Sequence, residues 1–290
     1  MRRLTRTGQR SNPQMKPGPT GNKVVSVVTP SFNCGQYILE NLESVRRQGF
    51  GPDELEHWVI DGGSTDGTVE LLKQQPDIQW ISEPDRGLSD AVNKGIQRAK
   101  GDWIVWLNAD DFLAEDACKV FLEYARRHPT IRIFCGEITW LRYDGSVEKI
   151  APAWDYNLKD LLGTRTGINQ SSTFIRREAY EKVGLLDVSD RYTMDYEWLV
   201  RAMHHYECVP IPHVLTFYRR RRGSITDANL VRQFENFLTI RRRYGRPRLC
   251  RAEFRIRFYL YTDWLRRIRW LRRGVRRIKK VFGKEPPHPM

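Results

Sequence analysis

Asp110 and Asp111 close the segment Trp103-Ile104-Val105-Trp106-Leu107-Asn108-Ala109-Asp110-Asp111, where residue type and spacing suggest chemistry most directly. The apolar run reads as a buried strand. Acids at its carboxyl end would sit on the rim of a sheet, where α/β proteins bind ligands. Such acids could hold Mg2+ or Mn2+, hard ions that often take one or two protein carboxylates and leave the other positions to water and phosphate. A nucleoside diphosphate would bring those phosphates. The alternative use of Asp110 and Asp111 is to end the strand and cap a helix starting near Glu115.

Other acids follow other strand-like runs. Asp61 follows Glu56-His57-Trp58-Val59-Ile60, and Asp85 follows the run from Ile78 to Ser82. In a parallel sheet these carboxyl ends share one edge, so acids far apart in sequence converge on one cleft. Capping accounts poorly for that convergence.

The elements that would position them follow from the patterning. A Pro/Gly/Ser-rich leader, residues 1–23, is expected to be disordered. Val24 to Thr29 is a β-branched strand. Residues 36–47 carry Tyr37, Ile38, Leu42 and Val45 at helical spacing, so strand, helix and strand predict a parallel βαβ unit. The turn Gly62 to Thr68 leads into a second helix, and Leu88, Ala91, Val92, Ile96 and Ala99 form the apolar face of a third, with Asp90, Asn93 and Lys94 opposite. A further helix is expected over 115–127. Beyond residue 130 the spacing predicts strands near 131–136, 171–175 and 214–218 and helices near 177–183, 195–206 and 229–243, all in one continuous sheet.

Charge separates the ends of the chain from its body. The 290 residues carry a formal net charge of +14. Residues 1–23 hold six Lys/Arg and no acid, and residues 251–290 hold thirteen Lys/Arg against three acids. Positions 24–250 hold 30 basic and 32 acidic side chains, so the body is close to neutral. A nucleic-acid binder that grips through its fold would have a basic body, and no nucleic-acid partner is expected. The five cysteines are scattered and never spaced as C-x-x-C, which reads as free thiols in a reducing compartment. No apolar run approaches the length of a membrane span, so the body is expected to be soluble and cytoplasmic. The sequon at Asn169 is read as chance.

The segments Val28-Thr29-Pro30-Ser31-Phe32-Asn33, Ile60 to Thr68, Ser82 to Gly87 with Asp90 to Gly95, and Leu107 to Asp111 resemble family 2 glycosyltransferases of the GT-A fold over residues 24 to 225. The resemblance implies a Rossmann-like mixed sheet with a nucleotide-binding first half and an acceptor-binding second half. It places Thr29, Pro30 and Ser31 at the nucleoside pocket and Asp61 on the base, where an acid facing an imide N–H favours uracil. Arg86 and Asp90 fall beside the nucleoside and ribose. Asp110 matches the last acid of the D-x-D motif that holds the metal on the diphosphate, and Asp111 is a second candidate ligand. Asn108 departs from the motif. It is expected, with Ala109, on the donor side, where an amide could still bond a hydroxyl or a metal-bound water.

The same resemblance implies that Asp195 is the general base of an inverting transfer, the alternative being that it caps a helix while Asp187 and Glu197 are surface acids. Gln170 stands where relatives contact acceptor. Arg219-Arg220-Arg221-Arg222 resembles an arginine-bearing loop that can close on a diphosphate.

Trp264, Ile268, Leu271, Val275, Ile278 and Phe282 draw one apolar stripe among many arginines and lysines. Such a helix suits an anionic membrane surface; nucleic-acid binding and packing on the body compete. The expected organisation is a leader (1–23), a transferase domain (24–250) and a membrane-associating tail (251–290). The expected function is transfer from a UDP-sugar to a glycan or polyprenyl-diphosphate-linked acceptor at the inner membrane face, in surface polysaccharide or lipopolysaccharide synthesis. The competing class is a non-catalytic membrane or nucleic-acid adaptor that keeps a transferase fold.

Overall fold

The computed structural model describes residues 24–163, 168–221 and 230–245. The leader, the basic tail and Arg222 lie outside them.

The first half is a parallel α/β layer. Strands β1 (Val25–Ser31), β2 (Leu55–Asp61), β3 (Gln79–Ser82) and β4 (Trp103–Trp106) alternate with helices α1 (Ile38–Arg46), α2 (Thr68–Lys73) and α3 (Leu88–Arg98). β1 pairs in parallel with both β2 and β4, and β2 with β3. The carboxyl ends therefore share one edge, as the strand and acid pattern implied. Every residue of β1 and β4 is buried, because helices cover both faces. Gly95 lets α3 lie close on the sheet: a Cβ there would collide with Val28.

The second half continues the sheet with mixed pairing. After β5 (Phe112–Leu113) and α4 (Ala117–Arg127) come β6 (Ile133–Leu141), β7 (Val147–Ala151), α5 (Leu158–Gly163), a 3-10 turn (Gln170–Ser172), β8 (Thr173–Arg176), α6 (Arg177–Val183), α7 (Met194–Ala202), β9 (Cys208–Arg219) and α8 (Leu230–Arg243). The sheet has nine strands in the order β3-β2-β1-β4-β8-β6-β9-β5, with β7 hairpinned onto β6. β8 runs antiparallel to both β4 and β6, which turns the sheet from donor-type to mixed. The last strand is longer than the expected 214–218: β9 pairs along β6 from Cys208 to Arg219, with register shifts near Glu137 that accommodate its prolines. β5, β7 and α5 have no counterpart in the expected elements.

Two large packed cores flank the sheet, beside a smaller cluster under α1 and α2. One joins Val92 and Ile96 of α3 to Tyr180, Tyr196, Trp198, Phe234 and Phe237 of α6, α7 and α8. The other packs Trp103, Phe134 and Phe174 around Phe121 of α4, whose ring stacks on Phe174 at 4.0 Å. Asn93, expected on the polar face of α3, is buried and clips the halves together: its amide donates to the Leu186 carbonyl at 2.9 Å and accepts the Leu186 N–H at 3.0 Å. Among the described residues no helix is long and apolar enough to cross a membrane.

Candidate active site

The turn after β4 is braced from within. Asn41 of α1 donates to the carbonyls of Asn108 (3.0 Å) and Asp111 (2.9 Å). Trp106 Nε1 donates to Asn108 Oδ1 at 2.9 Å, and since an indole nitrogen can only donate, the amide orientation follows. Asn108 Nδ2 then donates to Asp111 Oδ2 at 3.2 Å, while Asp111 Oδ1 accepts the Arg219 N–H at 3.1 Å. Asp111 is 1% exposed. Burial, and then the neighbouring Asp110 charge, raise its pKa well above the ordinary aspartate value. The amide at position 108 thus has a local reason: an aspartate there would set a second carboxylate against the buried Asp111.

Asp110 is the acid of this turn that the backbone does not claim. Its side chain is 14% exposed and forms an ion pair with Arg221, whose Nε faces Oδ2. Asp111, the second candidate metal ligand, ties the turn to β9 through Oδ1 and to Asn108 within the turn through Oδ2. Ala109 is buried against α1 and α2 and offers only its backbone.

At the nucleoside end, several of the expected contact residues are buried and hydrogen-bonded within the chain. Thr29 is fully buried, its Oγ1 2.8 Å from His57 Nε2 and 3.4 Å from Asn41 Oδ1. Burial, then the Arg46 charge, lowers His57 to about 3, so it is neutral and structural. Asp61 is also fully buried. Its Oδ2 accepts Gly63 N–H (3.0 Å), Ser64 N–H (2.9 Å) and Ser82 Oγ (2.7 Å), and its Oδ1 accepts Ser64 Oγ. Asp61 therefore shapes the glycine turn after β2. Pro30 is buried in β1. Ser31 is 3% exposed, and its Oγ has no hydrogen-bond partner among the described residues. Beside it Phe32 leaves its ring 58% exposed, close to Gly62. Asp90 accepts the Arg86 N–H at 3.1 Å and its guanidinium at 2.8 Å; hydrogen bonding to Arg86 holds its carboxyl below the usual range.

The second half supplies an apolar pocket lined by Trp106, Gln170, Thr173, Tyr180, Trp198 and Asp195 among others. It encloses about 380 Å³ of atom-free space, open mouth included. Gln170 Nε2 donates to the Trp106 carbonyl, so the pocket abuts the strand that carries the donor turn. Asn169 braces Gln170: it is 2% exposed and donates to the carbonyls of Gly136 (2.9 Å) and Pro152 (3.1 Å). A glycan on Asn169 would not fit.

Asp195 lies in the first turn of α7 and is not its cap. Thr193 holds that position, and Asp190 braces the turn that leads into it: it accepts the N–H groups of Tyr192 and Thr193 at 3.0 Å, the Thr193 hydroxyl at 2.7 Å and the Asn236 amide of α8 at 3.0 Å. Asp195 Oδ1 accepts the Tyr196 N–H at 2.8 Å. Burial raises its pKa to about 6, with Asp190 adding to the shift and the Tyr196 N–H opposing it. That value suits a base at neutral pH. Glu197, which the capping alternative put on the surface, is buried and paired with Arg201 at 2.9 Å. Asp187 is a turn acid that accepts the Ser189 N–H and hydroxyl.

Asp190 and Asn41 carry roles that sequence reasoning did not assign, and Arg221, expected within a loop that closes on the diphosphate, has in Asp110 a partner that it did not assign. Their partners lie 46, 70 and 111 positions away, beyond any local motif.

Among the described residues no three His, Cys, Asp or Glu side chains gather as a metal cluster. A divalent ion bound with a diphosphate needs fewer, since substrate and water fill most positions. Asp110 alone fits that donor set.

Comparison with known proteins agrees with this geometry. Residues 26–184 match the model of glycosyl transferase family 2. An uncharacterized glycosyltransferase of Mycobacterium tuberculosis is 30% identical over 258 residues, covering 84% of this chain and 95% of the relative. A shorter likeness, 33% over 108 residues, is to chondroitin synthase of Escherichia coli; it covers 36% of this chain and 16% of that protein. Among solved structures, Staphylococcus aureus TarS 1–349 in complex with UDP-GlcNAc matches with TM-score 0.60 and 15% identity, covering 75% of this chain and 66% of that one. The mannosyltransferase PcManGT from Pyrobaculum calidifontis, in complex with GDP-Man and Mn2+, matches with TM-score 0.58 and 19% identity, covering 86% and 70%. At those identities the structures speak for the GT-A fold alone. The family match over more than half of the chain and the near full-length relative establish the rest: the chain belongs to glycosyl transferase family 2 and is a glycosyltransferase of the GT-A fold.

Proposed function

We propose that this glycosyltransferase moves a sugar from a UDP-sugar to a hydroxyl of a glycan or polyprenyl-diphosphate-linked acceptor, with inversion. The observation that carries the reading is the shared wall of the Asp195 pocket and the donor turn. Gln170 and Asp195 open onto Trp106, two residues before Asn108 and four before Asp110. A sugar whose diphosphate lies at Asp110 would thus present its anomeric carbon toward Asp195.

In this reading Asp195 takes the acceptor hydroxyl's proton as the oxygen attacks the anomeric carbon, and the diphosphate leaves on the opposite side. The apolar walls keep competing water out and hold the carboxyl near its working pKa. Gln170 orients the acceptor. Asp110 holds Mg2+ or Mn2+, which would supply neutralisation of the charge growing on the leaving diphosphate. The uncommitted Ser31 hydroxyl and the exposed Phe32 ring are the donor-side groups free to bond and stack a nucleoside, since a buried hydroxyl without a protein partner calls for one. Asp61 shapes the turn around them. Support for a nucleotide-sugar donor comes from the two structural neighbours, solved in complex with UDP-GlcNAc and with GDP-Man.

Calorimetric titration of UDP- and GDP-sugars with Mn2+ tests this proposal. Binding of a UDP-sugar in preference to the GDP-sugars is expected; no binding of any would favour an adaptor that keeps the fold. Residues 251–290 would hold the enzyme at an anionic membrane face, in synthesis of a surface polysaccharide. Removing 263–283 should release it from anionic vesicles, and full retention would refute that role.

A further inference from the structure

Three consecutive arginines end β9 and leave it, and each engages a different acid. Alternation along an extended chain sends residues 219 and 221 to one side and 220 to the other. Arg219 pairs with Glu40 of α1, donates to the Asp110 carbonyl at 3.3 Å and lies over the Tyr37 and Phe112 rings. Arg220 pairs with Glu148 of β7 at 3.2 Å and covers Tyr143. Arg221 pairs with Asp110, the one acid of the donor turn left for a metal.

The Arg221–Asp110 pair is only partly exposed, at 34% and 14%. A carboxylate paired with a guanidinium is a poorer ligand for a divalent ion, because the guanidinium draws on the same charge and the two cations repel at that range. We propose that Arg221 is an exchangeable counter-ion: it neutralises Asp110 in the free enzyme, yields that carboxylate to the metal when donor binds, and transfers its own charge to the diphosphate. The inference rests on the donor-site reading above and adds to it a coupling between metal and nucleotide.

The coupling follows from charge balance. Metal alone must displace Arg221 and leave two cations side by side. Nucleotide alone must draw Arg221 away and leave the diphosphate beside a bare Asp110. With both present every charge has a partner: Asp110 on the metal, the metal and Arg221 on the diphosphate. Each ligand should therefore strengthen the other, and by the same factor.

Titration of the full chain with Mn2+ alone, UDP alone and UDP with Mn2+, followed by calorimetry and by the Mn2+ electron paramagnetic resonance signal, tests this inference. In the wild type Mn2+ should tighten UDP by about tenfold or more. Arg221→Gln should bind Mn2+ alone several-fold tighter and UDP with Mn2+ several-fold weaker, so the mutual factor shrinks toward one. Arg220→Gln removes the same charge one residue away but leaves the Asp110 pair, and should change neither affinity by more than about twofold. Unchanged Mn2+ affinity in Arg221→Gln, or equal effects in both variants, would overturn the exchange while leaving the donor site standing. A wild type that binds UDP equally well without metal would overturn it too. Failure of the wild type to bind any nucleotide would remove the donor-site reading itself.

Discussion

At the donor edge Asp61 and Asp111 are buried with both carboxylate oxygens accepting hydrogen bonds, whereas in the acceptor pocket Asp195 accepts the Tyr196 N–H and is otherwise walled by apolar side chains. The same residue type is used in opposite ways. A carboxylate whose two oxygens are both taken by hydrogen bonds holds a turn in place. A carboxylate in a largely apolar pocket, raised to about 6 by burial and with one oxygen uncommitted, stays ready to exchange a proton. Asp110 is intermediate, balanced by a single guanidinium. Occupation of both carboxylate oxygens therefore separates the acids that shape this cleft from the ones placed to react.

The sharpest way to break that comparison is Asp195→Asn. The amide keeps the size of the side chain but cannot take a proton, so transfer should fall by about 10²- to 10⁴-fold. UDP affinity should stay within about twofold of wild type, because no donor contact is lost. Steady-state kcat with a calorimetric UDP titration gives both numbers. Turnover near wild type would move the base elsewhere, and a parallel collapse of UDP binding would mean that α7 supports the donor site rather than the proton transfer.

Asn108→Asp tests the other arm. It restores the family's acid but sets a carboxylate against Asp111, with the Trp106 indole as its remaining donor. We expect a loss of about 1–3 kcal/mol at pH 8 by urea unfolding. The sign with pH is determined. Asp111 already has a raised pKa, and a second acid raises the pair further, so the folded state binds protons more tightly than the unfolded chain. The penalty should shrink as pH falls through the carboxylate range. A loss that does not vary with pH would point to packing instead of charge.

The parallel donor half was largely legible in the residues. Runs such as Val25 to Thr29 and Trp103 to Leu107 are buried on both faces, so their β-branched and aromatic character shows without reference to a partner. The placement of Asp61 and Asp110 on one sheet edge followed from strand order, and that of Asp195 from the family resemblance. What each acid does there did not follow, because Asp61 and Asp110 look alike until Ser82 and Arg221 arrive from distant segments. β7 was missed for a related reason: Val147, Lys149 and Ile150 form an edge with two exposed apolar residues, and its strand character depends on β6 alone. β5 is two residues long and exists only through its pairing with β9.

The smallest expected effect concerns pH. With the Asp195 pKa at about 6, kcat/KM should fall as pH drops through 6, because the protonated acid cannot act as a base. Stability should move the other way. The folded pKa lies above the unfolded one, so the stability that Asp195 contributes is complete below about pH 4 and is lost as pH rises through about 6. Asp195→Asn removes a buried charge only where that charge exists. The variant should therefore be no more stable than wild type near pH 4 and more stable at pH 8, by up to about 2 kcal/mol since the group is partly solvated. Urea titrations at the two pH values decide it. Equal stability differences at both would mean that the pocket does not raise the pKa of this carboxyl, and the reading of Asp195 as the base would lose its electrostatic support.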